Sequence, residues 1–437
     1  MSATISCLDS RYYNDIKELV NVCDDYAYYR NRIYVELKYF ELFTSSIIKY
    51  NPYKDFTYND YLKILESETI LRHDVKAIEY FVKDIPEVKD TEKSHLVHIG
   101  LTSQDINSIG FMLCFRDSLF IILDNLNKVI NIFTDQLLTP YTNTNDILML
   151  SYTHGQPATP THFSKEMLIY KTRLYTIYNE IKDFINTGLT VKFGGATGEM
   201  NALNFALPDT NWSIWSDHFI TLFNTDNTKF IRTQYTNQCD NYDSIIKVLY
   251  MIKRMLHILE HLRGNLWLYI HREYFIQKNI KNEIGSSTMP HKINPIDLEN
   301  AKTSIEMAKR MIDGICDILT ETSFQRDISD SSAIRNISSI FGYVLITFKK
   351  ITNGISRLQL NKQKIEEDLI NHPEVILEGI QTYLKIHCNI ENSYEIIKTI
   401  SRGNKLTLLD IYCMIDLLDI DDIHKFRLTN LTPKTYK

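Results

Sequence analysis

The 437-residue chain is poor in the two residues that interrupt regular structure: 14 glycines and 10 prolines, about half of their usual share. A long chain with few breakers is one of long helices. Seven cysteines, Cys7, Cys23, Cys114, Cys239, Cys316, Cys388 and Cys413, are scattered with no CxxC pair. That spacing argues against a disulfide framework or a zinc cluster and points to a reducing, cytoplasmic setting. His95 and His98 lack a third ligand nearby, so no metal is expected. No uninterrupted apolar run reaches about eighteen residues, and the N-terminus has no apolar targeting segment, so no membrane segment is expected. With a net charge of −6 the chain also lacks the basic excess of a nucleic-acid surface. A hydrophobic content of 44% is enough for a sizeable core.

What is present is helical periodicity. Met112, Phe115, Leu119, Ile122, Leu126, Val129 and Phe133 recur at spacings of three and four. So do Ile245, Leu249, Ile252, Leu256, Leu259, Leu266 and Ile270, interrupted by Arg263, and Leu298, Ala301, Ile305, Ala308, Ile312, Ile315 and Leu319. Such ladders suit helices packed at about 20° in a bundle. Val248, Met255 and Leu262 add a second apolar face, as a central helix of a large or multi-subunit bundle requires. No segment shows the alternation of a strand-rich domain, so an all-α fold is predicted. Helices are also expected over about 12–50 and 57–83, split at Asn51-Pro52, and over about 162–186. A three-part division follows: 1–103, 104–352 with the long helices, and 353–437.

Between two ladders lies Gly285-Ser286-Ser287-Thr288-Met289-Pro290-His291-Lys292-Ile293-Asn294-Pro295. Glycine and small hydroxyl residues make a loop with a movable backbone. Asn294 suits a helix cap and Pro295 the first helical position, so a positive helix end faces Lys292 and the serines. This is a place to stabilise negative charge on oxygen. Elsewhere, Thr102-Ser103 reads as a helix N-terminus able to hold a carboxylate. His154, in Thr153-His154-Gly155-Gln156-Pro157, is displayed from a backbone fixed by glycine and proline, which favours a general acid over a core histidine. Phe193-Gly194-Gly195-Ala196-Thr197-Gly198 lacks the flanking strand and lysine of a nucleotide loop, so it is read as close backbone contact without a nucleotide cofactor. Arg326 and Arg335, nine apart around Ser331 and Ser332, fit a phosphate clamp.

The loop string closely resembles the GSSxMPxKxNP pattern of the fumarase, aspartase and argininosuccinate lyase superfamily. The strings SRYY, RHDVKAIEYF, LTSQDIN, THGQPATP, GGATGEMNA, EIGSSTMPHKINPIDLEN and QRDISDSSAIRN, in order from about residue 10 to 336, resemble the bacterial-type adenylosuccinate lyase branch. The resemblance implies β-elimination of fumarate from adenylosuccinate, giving AMP, and from the succinyl-carboxamide imidazole nucleotide SAICAR, giving AICAR. It implies Ser286 as base and His154 as acid. Arg11, Tyr12, Arg326, Ser331 and Arg335 would surround the phosphate. Arg72, His73, Asp74, Thr102, Ser103, Gln234, Ser287, Lys292, Asn294 and Asn300 would line the rest of the site. No cofactor is implied. A homotetramer is, with a helix bundle and active sites shared between subunits. Arg72 and Glu199 stand where relatives carry Asn. The alternatives are a superfamily lyase acting on argininosuccinate, aspartate or malate, or a non-catalytic helical protein of the same fold.

Overall fold

The computed structural model describes residues 5–143, 146–280, 283 and 288–436. The chain forms two compact units, each assembled from three stretches. One contains Met1–Val129, Leu174–Glu260 and Glu299–Ile351; the other contains Ile130–Arg173, His261–Leu298 and Thr352–Lys437.

The three ladders lie on the three helices Ser103–Leu137, Asp243–His271 and Ile296–Thr320. Every ladder residue is buried except Ile270, and Val248, Met255 and Leu262 are buried as well. Arg263, which interrupts the second ladder, is itself only 8% exposed. The segment 103–141 is long and apolar enough to cross a bilayer by length and composition, but 78% of its apolar window is buried within the protein. Burial of that kind is what a core helix of a bundle requires.

In the first unit, the N-terminal helices pack around Tyr29, Ile33, Leu37, Phe40, Ile64, Ile78 and Val82. Asn51 caps a short Pro52–Asp55 helix at the expected break. Two expected continuous helices are interrupted. Residues 17–24 separate a short Tyr13–Ile16 helix from Asp25–Thr44, which starts at the Asp24 cap. The run 57–83 is two helices, Tyr58–Leu71 and Asp74–Asp84. Arg72 ends the first in the left-handed region, at φ 52°, and His73 caps the second by accepting from the Lys76 N–H at 3.1 Å. The two strands 189–191 and 230–232 pair in parallel.

In the second unit the expected turn-rich break around His154 is a β-hairpin, Leu148–Thr153 (β1) and Gln156–His162 (β2). Prolines 157 and 160 are tolerated because a two-stranded ribbon consists of edges, where a proline need not donate to a ladder. A bulge falls at Leu150/Ser151. The Phe163–Thr187 helix follows directly. C-terminal helices pack around Leu369, Ile376, Ile380, Leu384, Ile411 and Ile415, together with Leu150 of β1.

Candidate active site

The first unit gathers four of the sequence strings at one cluster. Asp74 opens the Asp74–Asp84 helix, and its carboxylate meets two arginines. Arg32 Nη1 donates to Asp74 Oδ2 at 2.6 Å, and Arg335 Nη2 lies 3.4 Å from the same oxygen. Arg32 is fully buried between the rings of Tyr28 and Tyr29, 4.2 and 4.1 Å from their centroids. Burial alone would raise the Asp74 pKa, but the Arg32 charge and hydrogen bond, with Arg335, pull it below the usual carboxylate range. Arg335 is half exposed, so its guanidinium keeps donors for an anion while Asp74 orients it.

Arg326 and Ser331 are joined directly, Nη2 to Oγ at 3.1 Å, and Arg326 Nη1 donates to Gln238 Oε1 at 3.2 Å. Gln238 Nε2 in turn donates to the Ala196 carbonyl of the glycine stretch at 3.2 Å. Asp330 accepts from Gln104 Nε2 at 2.8 Å and from the Tyr242 hydroxyl at 2.6 Å, so the Arg326–Arg335 segment is tied to the start of the Ser103–Leu137 helix.

That helix starts at Ser103, as the sequence suggests. Asp105 fixes the turn before it. Its Oδ2 accepts from the Thr102 N–H at 2.8 Å, and its Oδ1 accepts from the N–H groups of Gly194 and Gly195 at 2.8 and 3.1 Å. Lys192 Nζ lies 2.7 Å from Oδ1, with both side chains at 0% exposure, and also donates to the Gly195 carbonyl at 2.6 Å. Burial pushes the Lys192 pKa down, with Asp105 opposing it. At Gly198, φ 91°, a Cβ would stand 2.1 Å from the Thr236 carbonyl oxygen, so only glycine lets these backbones meet. The expectation of close backbone contact at this stretch is therefore met by its geometry.

Other sequence-predicted residues stand apart from this network. Among the described residues, no hydrogen bond or ion pair links Arg11, Tyr12, Gln234 or Asn300 to it. Arg11 and Tyr12 precede the Tyr13–Ile16 helix, with the Tyr12 N–H donating to the Cys7 carbonyl at 3.0 Å. Arg72 and His73 are exposed at the helix–helix corner beside Asp74, and the cap bond to His73 Nδ1 leaves the proton on Nε2.

The second unit carries His154, Lys292 and Asn294. His154 and Gly155 form the two-residue turn of the hairpin, with φ of 53° and 75°. Both positive values fit a type I′ turn, which matches the twist of the strands. A histidine held there costs about 1 kcal/mol relative to a right-handed residue and projects into solvent. Lys292 is exposed, and its N–H donates to the Met289 carbonyl at 3.0 Å. The following helix begins at Ile296, one residue beyond the Pro295 start expected from sequence. Ser286 and Ser287, named as base and substrate contact, lie outside the described residues, as does Gly285.

Asp105, Gln238, Asp330 and Arg32 were not singled out from sequence, although they hold the cluster together. Asp105 had a readable signal: stepping the first apolar ladder back from Met112 by three and then four residues lands on it, placing a carboxylate on a core face. The other three have no comparable local mark.

Comparison with solved structures defines the class. The crystal structure of fumarate lyase from Mesorhizobium sp. BNC1 matches at a TM-score of 0.74 and 14% identity, covering 96% of this chain and 94% of that one. That of 3-carboxy-cis,cis-muconate lactonizing enzyme from Pseudomonas putida matches at 0.71 and 14%, covering 96% and 93%. The fold is the all-α fold of the fumarase/aspartase type, and a family model described as "Lyase" matches residues 34–311. A second model, "Adenylosuccinate lyase C-terminal", matches residues 322–437. Adenylosuccinate lyase of Dictyostelium discoideum is 35% identical over 99% of this chain and 96% of its own length. Those of Buchnera aphidicola subsp. Schizaphis graminum and Escherichia coli are 34% and 32% identical, each over 99% of this chain and 96% of that protein. The chain belongs to the adenylosuccinate lyase family, and is a lyase. The resemblance read from the motif strings is thereby borne out, and the argininosuccinate, aspartate, malate and non-catalytic alternatives give way to it.

Proposed function

We propose that the chain eliminates fumarate from adenylosuccinate to give AMP, and from SAICAR to give AICAR, in purine nucleotide biosynthesis. The observation that carries this reading is the meeting of Asp74 with Arg335, 261 residues apart, beside the Arg326–Ser331 pair. Two arginine forks held by a carboxylate and a hydroxyl suit a nucleotide phosphate.

The chemistry starts at the succinyl carbon beside a carboxylate. Ser286 as alkoxide removes that proton, and the electron pair passes into the carboxylate as a dianionic intermediate. Lys292, Asn294 and the helix start at Ile296 supply the positive field that stabilises this charge. The pair then forms the carbon–carbon double bond as the C–N bond breaks, and His154 protonates the departing nitrogen. General-acid assistance of this kind contributes on the order of 10²- to 10⁴-fold. Thr102 and Ser103, at a helix N-terminus pinned by Asp105, hold a carboxylate of the succinyl group. Arg11 and Tyr12 complete the phosphate surroundings, and Arg72, His73, Gln234, Ser287 and Asn300 line the remainder. The turnover requires no cofactor.

The active form is a cytoplasmic homotetramer with sites shared between subunits. Supporting this reading, Tyr250, Trp267, Leu268, Met307 and Ile318 on the long helices are 40–52% exposed, side chains that a neighbouring subunit's helices would cover. The division into 1–103, 104–352 and 353–437 belongs to the same proposal, supported by separate cores around Ile33 and Ile380.

Ultraviolet monitoring of the purified protein with adenylosuccinate tests the reaction; absence of fumarate removes the proposal. His154→Ala is expected to lower kcat by about 10²- to 10⁴-fold while thermal unfolding stays unchanged. Full turnover in that variant would remove the acid role.

A further inference from the structure

We infer that Arg272 is the positioning residue for the His154 turn, an assignment that rests on the reading of His154 as proton donor. A two-stranded ribbon is marginal on its own, and β1–β2 is such a ribbon. Its base is held by burial, since Met149 and Leu150 are 1% and 0% exposed. The other end has no such anchor: Thr153, His154, Gly155 and Gln156 are all exposed. Tyr152 is the last half-buried side chain before the turn.

Tyr152 is clasped by Arg272. The guanidinium carbon lies 4.3 Å from the ring centroid, and Nη2 donates to the phenol oxygen. A cation over an aromatic face is attracted by the ring quadrupole, and the planar fork adds a direction that a simple ammonium lacks. The same phenol oxygen is 3.4 Å from the hydroxyl of Tyr274, which is 1% exposed. Arg272 is itself held at two points. Its N–H donates to the Leu268 carbonyl at 2.9 Å, and its Nη2 lies 4.0 Å from Asp368 Oδ2 on the Lys362–Ile370 helix.

A cavity of about 370 Å³ makes this clasp matter. Ser151, Tyr152, Gly155 and Arg272 share its wall, so the turn has open space where a hairpin tip would otherwise pack. His154 is two residues beyond Tyr152, about 7 Å along a strand. A rocking of about 10° about Tyr152 therefore shifts the imidazole by about 1 Å, and a misplacement of that size costs on the order of 10²-fold in rate. Arg272 acts on the reaction only through this geometry, by setting where the proton donor stands.

The test compares Arg272→Met, Arg272→Lys, Tyr152→Phe and His154→Ala in the full-length protein with adenylosuccinate. Arg272→Met is expected to lower kcat by about 10- to 100-fold, leave KM within about twofold, and enlarge the solvent deuterium isotope effect on kcat as nitrogen protonation becomes slower. Arg272→Lys, which keeps the charge over the ring but not the planar fork, should recover only part of the rate. Tyr152→Phe, which keeps the ring but not the hydroxyl, should shift the same quantities less, and decides the matter if Arg272→Met does not fold. A wild-type kcat and isotope effect in folded Arg272→Met, or failing that in Tyr152→Phe, overturns the proposal when His154→Ala is inactive. So does a loss carried by KM, or one that lysine leaves unrepaired. Full activity in His154→Ala instead removes the reading on which the proposal stands.

Discussion

Asp74 and Asp105 are held by buried charge, whereas His154 is held by backbone geometry. Around Asp74 and Asp105 two cations, Arg32 and Lys192, are withdrawn from water completely. A buried ion pair offsets its desolvation only with close geometry and further hydrogen bonds. Lys192 has both, whereas Arg32 adds one bond, to Asn107 Oδ1 at 3.3 Å, and among the described residues turns Nε and Nη2 toward no hydrogen-bond partner. Groups fixed in that way lose little freedom when an anionic substrate arrives. The hairpin tip, by contrast, exposes its histidine and depends on a two-residue turn with positive φ at both positions. A group that must exchange a proton in every turnover is better placed at such an edge than inside an ion-pair network.

The comparison is broken most severely at Asp105. Asp105→Ala leaves Lys192 buried without its direct carboxylate partner, and the expected loss is about 3–5 kcal/mol of stability, read by chemical denaturation. A loss below about 1 kcal/mol would show that the pair is relaxed or hydrated. Arg335→Ala comes next. It removes a half-exposed fork without unburying anything, so the expected result is a KM rise of about 10-fold or more with the unfolding transition in place. A succinyl substrate without phosphate should not discriminate the variant from wild type; equal weakening for both would reject the phosphate role.

The smallest effect concerns Asp240, a buried carboxylate whose charge also acts on Lys192. Burial pushes its pKa up to about 6, against the hydrogen bond it accepts from the Ser108 hydroxyl at 2.8 Å. Between about pH 4 and 6 the folded chain therefore holds a proton that the unfolded chain has released, and stability falls as pH rises through that window. Asp240→Asn should flatten this slope and add on the order of 1–3 kcal/mol at neutral pH. A variant less stable than wild type at pH 7, with the slope intact, would show that the ionised carboxylate is the favoured form.

Much of the fold was legible because its signal is periodic. The ladders mark the faces of the long helices, and the Ser103 start is written in hydroxyl residues at a helix entry. What escaped was non-local or balanced on one residue. The break at Arg72 hides inside an apolar pattern that continues on either side; it takes a left-handed arginine and a histidine cap to turn the chain so that Asp74 faces Arg32. The hairpin escaped because prolines disguise β2, and a proline-bearing edge strand needs only a partner that sequence does not name. Gln238 and Asp330 act on groups 42–226 residues away, and a side chain's partner at that distance leaves no mark in its neighbours.

By itself, the order of residues determined the helical class, the motif strings and the types of group available for acid, base and anion binding. These follow from local spacing and intrinsic chemistry, which any short stretch carries. Tertiary structure alone decided that Asp74 is shared between Arg32 and Arg335, that Asp105 joins two backbone turns to a buried lysine, and that Arg272 clasps Tyr152 behind the His154 turn. Each depends on the free energy of withdrawing a charge or ring from water against one particular distant partner, and only the folded chain brings that partner near.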